Sequence, residues 1–187
     1  MNYKCLFIFW VIPFTCFCQE PEGVNVPVIS SEMYKWKAPQ DMKAVNMRVT
    51  TLFSGSAHDM EHLQLMACSL SGSKKKTSSE VPSDEEHLLI VKSGRLQISF
   101  RDSTWTLAPG SIALLMPGEK YHIQNTGWRP LLFYRMQYRS KSPADLARGI
   151  ASGGSFVRDW SKLSFRKHDR GGVRRYFETP TAMCKRF

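Results

Sequence analysis

The chain has 187 residues, 42% of them hydrophobic and 12% aromatic, enough for the core of one full domain and part of a second. Its formal charge of +10 favours anionic partners, although a basic surface is more often simply solvated. The five cysteines and five histidines form no CxxC pair and no Cys/His cluster of zinc type, which excludes a zinc module and a framework of closely spaced disulfides.

Residues 1–18 read as a signal peptide. Lys4 gives a basic start, Leu6 to Phe17 is almost wholly apolar, and the polar Gln19-Glu20-Pro21-Glu22 follows Cys18. The apolar run is too short to span a bilayer, so no membrane span is expected and the predicted location is secreted or periplasmic. A lipoprotein anchor at Cys18 is disfavoured by the bulky Phe17. Export removes nucleic acid from the expected partners. It also takes Cys5, Cys16 and Cys18 away with the leader, leaving Cys68 and Cys184, which could pair with each other.

Residues 19–62 read as an N-terminal arm, and residues 63–140 as a β-domain. Leu63 to Leu70 alternates loosely and ends at Ser71-Gly72, and Ser73 to Ser79 is a basic, polar loop. Leu88 to Val91 is a short apolar strand turned by Ser93-Gly94, and Arg95 to Phe100 alternates with period two. Arg101-Asp102-Ser103 is a hairpin turn from which Thr104 to Leu107 returns. Pro109-Gly110, Pro117-Gly118 and Thr126-Gly127 then separate strands at Ile112 to Met116, Tyr121 to Asn125 and Leu131 to Tyr138. Short strands at even spacing with Gly/Pro turns predict an all-β, antiparallel sandwich or barrel. Ser142 to Gly154 reads as a short helix, capped by Ser142, started by Pro143 and ended by Gly153, within a helical linker over 141–154.

Gly94 after an apolar strand, Pro109-Gly110, and Pro117-Gly118-Glu119-Lys120-Tyr121-His122 together resemble the cupin family. The resemblance covers Leu63 to about Tyr138, and Pro117 stands five residues before His122 as the second cupin motif requires. It implies a small jelly-roll barrel holding a divalent metal on three histidines and a glutamate. The first motif departs from that pattern. The position for its acid, seven residues before Gly94, holds His87, and the positions for its two histidines fall among Glu80, Val81, Pro82 and Ser83. The candidate metal ligands are therefore His122 and His87 alone, fewer than a catalytic site takes. Around them the expected pocket contains Tyr121, Trp105 and Glu85. Strand alternation puts Glu85 and Glu86 on opposite faces. His58, His62 and His168 read as surface histidines.

The tail carries a weak internal repeat. At one constant offset Trp36 aligns with Trp160, Val49 with Val173, Leu52 with Tyr176, Phe53 with Phe177 and Leu63 with Phe187. Residues 155–187 therefore read as the truncated start of a second cupin repeat, whose apolar side chains must pack on the first domain or on a partner. The chain looks like the front part of a secreted bacterial bicupin related to ureidoglycine aminohydrolase-like proteins. In such a protein one barrel can be degenerate while the other carries Mn, Fe, Zn or Ni. For this chain the expected role is non-catalytic, a scaffold or small-molecule-binding domain with no cofactor, and an exchanged arm would allow a homodimer. The alternatives are a metal-dependent aminohydrolase, isomerase or oxygenase whose active barrel is the second domain, and an extracytoplasmic carbohydrate-binding module using Trp105, Trp128 and Tyr121.

Overall fold

Alternation in the sequence becomes strands wherever one face has a core to enter. The computed structural model describes residues 26–36, 47–72 and 76–185; the leader expected over 1–18 lies outside them. The described strands are β1 (Met47–Gly55), β2 (Met60–Leu70), β3 (Lys76–Glu80), β4 (Glu86–Ser93), β5 (Leu96–Phe100), β6 (Ser103–Leu107), β7 (Ile112–Leu115), β8 (Lys120–Asn125), β9 (Leu131–Ser140), β10 (Phe156–Arg158), β11 (Arg166–His168) and β12 (Gly171–Val173). A six-stranded sheet runs β1-β2-β9-β4-β7-β10 and a four-stranded sheet runs β3-β8-β5-β6, every pairing antiparallel. The fold is an all-β jelly roll: the strand spacing predicts an antiparallel sandwich or barrel, and the cupin resemblance implies the jelly roll.

The six-stranded sheet buries both of its faces at its centre, along β4 and β7. Leu89, Val91, Ala113, Leu115, Phe133, Cys68 and Leu70 point inward and meet Leu96, Ile98, Phe100, Tyr121 and Ile123 of the smaller sheet. The alternate residues Leu88, Ile90, Ile112, Leu114 and Tyr138 point outward, where Phe156, Tyr176, Phe177, Met183 and Cys184 cover them. A strand covered on both sides loses its polar alternation, which is why Leu88 to Val91 is an unbroken apolar run. The residues read as the start of a second repeat thus pack on this domain: β10 extends the main sheet by pairing with β7, and the segment after β12 lies over the outer face.

Several expectations are corrected by the structure. The span 19–62 is not only an arm, because β1 and the first residues of β2 lie within it and form the edge of the main sheet. Residues 26–36 reach that edge only at the end of β1. Ile29 N–H donates to Ser56 O at 3.0 Å, Ser56 N–H donates to Pro27 O at 2.8 Å, and the Tyr34 ring packs on Phe53 at 4.9 Å. The polar loop read over 73–79 overlaps β3, whose serines and glutamate carry no apolar strand signal; its pairing with β8 makes it a strand. The helix is shorter than expected. α1 covers Leu146–Ala151 and is capped by Asp145, not Ser142: the Asp145 carboxylate accepts from Arg148 N–H at 2.9 Å. Residues 143–145 stay outside it because Asp145 N–H is drawn to Ala182 O at 3.0 Å. Cys68 and Cys184 do not pair. Both are free, one buried on the inner face of the main sheet and the other packed on its outer face.

Candidate functional site

β4 decides the chemistry of the site by its alternation. His87 follows the inward positions 89 and 91, with Glu85 just before the strand on the same side, whereas Glu86 follows the outward positions 88 and 90. His87 is 1% exposed. The Gln137 amide nitrogen lies 2.9 Å from its Nε2, so Nε2 accepts and the ring proton sits on Nδ1, 3.2 Å from the Tyr121 hydroxyl oxygen. Burial, and secondarily the charge of Arg135, lowers the His87 pKa to about 4, so the ring is neutral at physiological pH. Glu85 stands 3.9 Å from His87 Nε2 and 3.3 Å from His62 Nδ1, and His62 Nε2 lies 3.3 Å from Ser54 Oγ. A polar chain thus runs from the edge of the sheet to a closed interior.

The expected pocket is brought together only in part. His87, Tyr121 and Glu85 meet. Trp105 is half-buried, stacked on Phe100 with ring centroids 4.5 Å apart, and packs with the inner core instead of lining an opening. His122 is separated from His87: it is exposed on β8 between the buried Tyr121 and Ile123, and its Nδ1 lies 2.6 Å from Ser78 Oγ on β3. Counting from Pro117 led to His122. Gly118, at φ +76°, turns the chain one residue earlier than the strict motif, and counting from that glycine lands on Tyr121. The phenol therefore occupies the inward position that the resemblance gives to a histidine. Two members of the group were missed. Gln137 could have been found from β9, because Phe133 and Gln137 share the face of one strand. His62, read as a surface histidine, is joined to Glu85 by the β2–β9–β4 register, which the sequence does not print.

The donor set does not fit the metal that the resemblance implies. His87 uses both ring nitrogens for protein partners, Tyr121 stands in for a histidine, and His122 faces away. Among the described residues no group of three or more His, Cys, Asp or Glu is placed to hold a metal ion.

A second, separate polar cluster lies on the outer face. Glu86 is wholly buried and accepts from the Tyr138 hydroxyl (2.8 Å), the Thr181 hydroxyl (2.6 Å) and the Ala182 N–H (2.8 Å). Arg148 closes the segment from the other side, donating to Thr181 O at 2.8 Å and Ala182 O at 2.7 Å. Burial first, and then the Glu86 carboxylate, holds the Tyr138 phenol well above its ordinary pKa. Every oxygen of this carboxylate has a donor, so the cluster is a structural fastening and not a reactive group.

No family model and no curated protein matches the chain. Solved structures do. A protein of Pseudomonas aeruginosa named for induction by glyoxylate is similar at 19% identity over 71% of this chain and 50% of that one, with a TM-score of 0.54. The Cupin_2 domain of an XRE-family transcriptional regulator from Enterobacter cloacae is similar at 18% identity over 52% of this chain and 100% of that one, with a TM-score of 0.46. The Cnp3 cupin domain of Schizosaccharomyces pombe is similar at 12% identity over 68% and 84%, with a TM-score of 0.45. The likeness is one of fold, and this chain spans half the length of the Pseudomonas protein.

Proposed function

We propose that this chain is an exported, non-catalytic cupin-type domain that serves as a binding or scaffold module. The observation that carries the reading is the closed His87–Tyr121–Gln137 group. It fills the interior position where a cupin enzyme would present ligands, with His87 neutral and both its nitrogens engaged. Reactive histidines are usually reachable and have a free face toward substrate, whereas a ring at 1% exposure has neither. Export rests on the apolar run Leu6 to Phe17 and its polar exit. Among the described residues no helix is long and apolar enough to cross a membrane. The test is metal content after purification in buffer containing Mn, Fe, Zn and Ni salts. The domain is expected to retain less than stoichiometric metal, and His87→Ala to leave that level unchanged. Stoichiometric metal in the wild type that disappears in His87→Ala would overturn the reading.

A second reading is a metal-dependent enzyme of two barrels, in which this one is the degenerate half. One observation favours it, namely that the chain spans half the length of the Pseudomonas protein. Immunoblotting and intact-mass measurement of the protein in its source cells test it. A species longer than 187 residues by most of a β-domain supports the two-barrel form, and a species at the mass of this chain without its leader sinks it.

A further inference from the structure

Trp128 is 79% exposed, yet its loop is not loosely held. Asn125, fully buried at the end of β8, donates its amide hydrogens to the carbonyls of Leu70 (3.3 Å), Ser71 (3.2 Å) and Arg129 (2.8 Å), and its side-chain oxygen accepts from Gly127 N–H at 2.9 Å. Thr126 N–H donates to Arg95 O at 3.2 Å, tying the loop to the β4–β5 turn. That turn is pressed against the loop's base: at Gly94 a Cβ would come within 2.9 Å of Leu131 Cα and 3.0 Å of Pro130 O. The loop is thus fastened to two neighbouring segments, and it presents its indole to water by construction.

Beside the ring lies a hollow of about 690 Å³ lined by Gly94, Arg95, Thr126, Gly127, Trp128 and Arg129. The Arg129 guanidinium covers one face of the indole at 4.4 Å from the centroid. Among the described residues, neither Arg95 nor Arg129 forms an ion pair with a carboxylate. A rigid aromatic ring next to two uncompensated guanidiniums is suited to a ring-shaped anion. Trp gives a large contact area at low entropic cost, and arginine's planar fork matches a carboxylate. The hollow is open to solvent and carries arginine and threonine beside the indole, which suits one hydrophilic ring better than the apolar interior of a bilayer.

We propose that this hollow is a binding site for an acidic saccharide: the sugar ring stacks on Trp128, and its carboxylate is held by Arg95 and Arg129. The proposal rests on the reading of this chain as a binding domain and moves the binding from the closed interior to the end of the barrel. Calorimetric titration of the full chain with tetragalacturonate, at low salt, tests it. Binding is expected, at least tenfold weaker in Trp128→Ala and in the Arg95→Gln/Arg129→Gln pair, and at least tenfold weaker for the neutral galactose tetramer. Because all three side chains are exposed, each variant should melt where the wild type does. Absence of binding at millimolar ligand, equal binding of the neutral tetramer, binding unchanged by Trp128→Ala, or binding of phosphatidylglycerol vesicles in place of the sugar would each overturn it. Metal analysis of the same samples separates the two proposals. Stoichiometric metal that is lost in His87→Ala sinks the non-catalytic reading whatever the sugar does, and failure to bind sugar in a metal-free protein sinks only the site.

Discussion

His87 is where a single side chain governs the behaviour of the fold. Its pKa is lowered from 6.5 to about 4 by burial, so below pH 6.5 the unfolded chain takes up a proton that the folded chain refuses. Stability is therefore complete above pH 6.5 and is lost as pH falls toward 4, by roughly 3 kcal/mol in all. The groups facing the ring are Tyr121, Gln137, Glu85 and Arg135; the Glu85 carboxylate, 3.9 Å from Nε2, is the one anion among these four, and burial and the charge of Arg135 outweigh it. Urea midpoints measured from pH 7 to pH 4.5 should fall for the wild type and stay nearly level for His87→Phe; parallel falls in both would sink the account. The two free thiols supply a second residue-scale test. Burial pushes both Cys68 and Cys184 up to about 11, which leaves them protonated and slow to react. Alkylation followed by peptide mapping should leave both unmodified in the native protein and modify both in denaturant.

Elements were legible in proportion to how much of their signal is local. β4, β5, β7 and β9 were found because each has an apolar face and is bounded by glycine or proline. β3 was not, because Thr77 to Glu80 is polar and becomes a strand only through its register with β8. The same division holds inside the site. That Glu86 leaves the His87 side of the strand follows from period two alone, but which of Tyr121 and His122 turns inward depends on where the chain reverses at Gly118. That is a backbone fact, set by φ, and residue counting from Pro117 cannot reach it. Gly94 shows how strict such a turn can be. Its φ is +87°, and an added methyl would meet only backbone atoms, at 2.9 and 3.0 Å. Gly94→Ala should cost about 2 kcal/mol in chemical denaturation. Asp145→Ala, which removes the α1 cap together with the 3.2 Å ion pair to Arg148, should cost about 1 kcal/mol.

At the scale of the molecule, the jelly roll has two cores, and the second depends on residues that sequence reading assigned to another domain. Leu88, Ile112, Leu114 and Tyr138 would form an exposed apolar face if the C-terminal segment were elsewhere, and a patch of that kind promotes association. Polar contacts add to the apolar packing of Tyr176, Phe177 and Met183 in holding the segment down. Thr181 and Ala182 donate to the buried Glu86, and Arg148 grips their carbonyls. Thr181→Val keeps the shape and removes a hydroxyl that donates to Glu86 and accepts from Cys184 N–H, so Glu86 loses a partner that water cannot replace, at a cost of about 1–3 kcal/mol. Because the inner core does not contain Thr181, that cost should fall on opening of the segment before it falls on global unfolding. Trypsin should therefore cut Thr181→Val faster at Arg174 and Arg175, while Cys68 stays as protected from alkylation as in the wild type. If Cys68 is unmasked at the same rate as the cuts appear, the two cores unfold as one, and the strap is an integral part of the barrel and not a cover laid upon it.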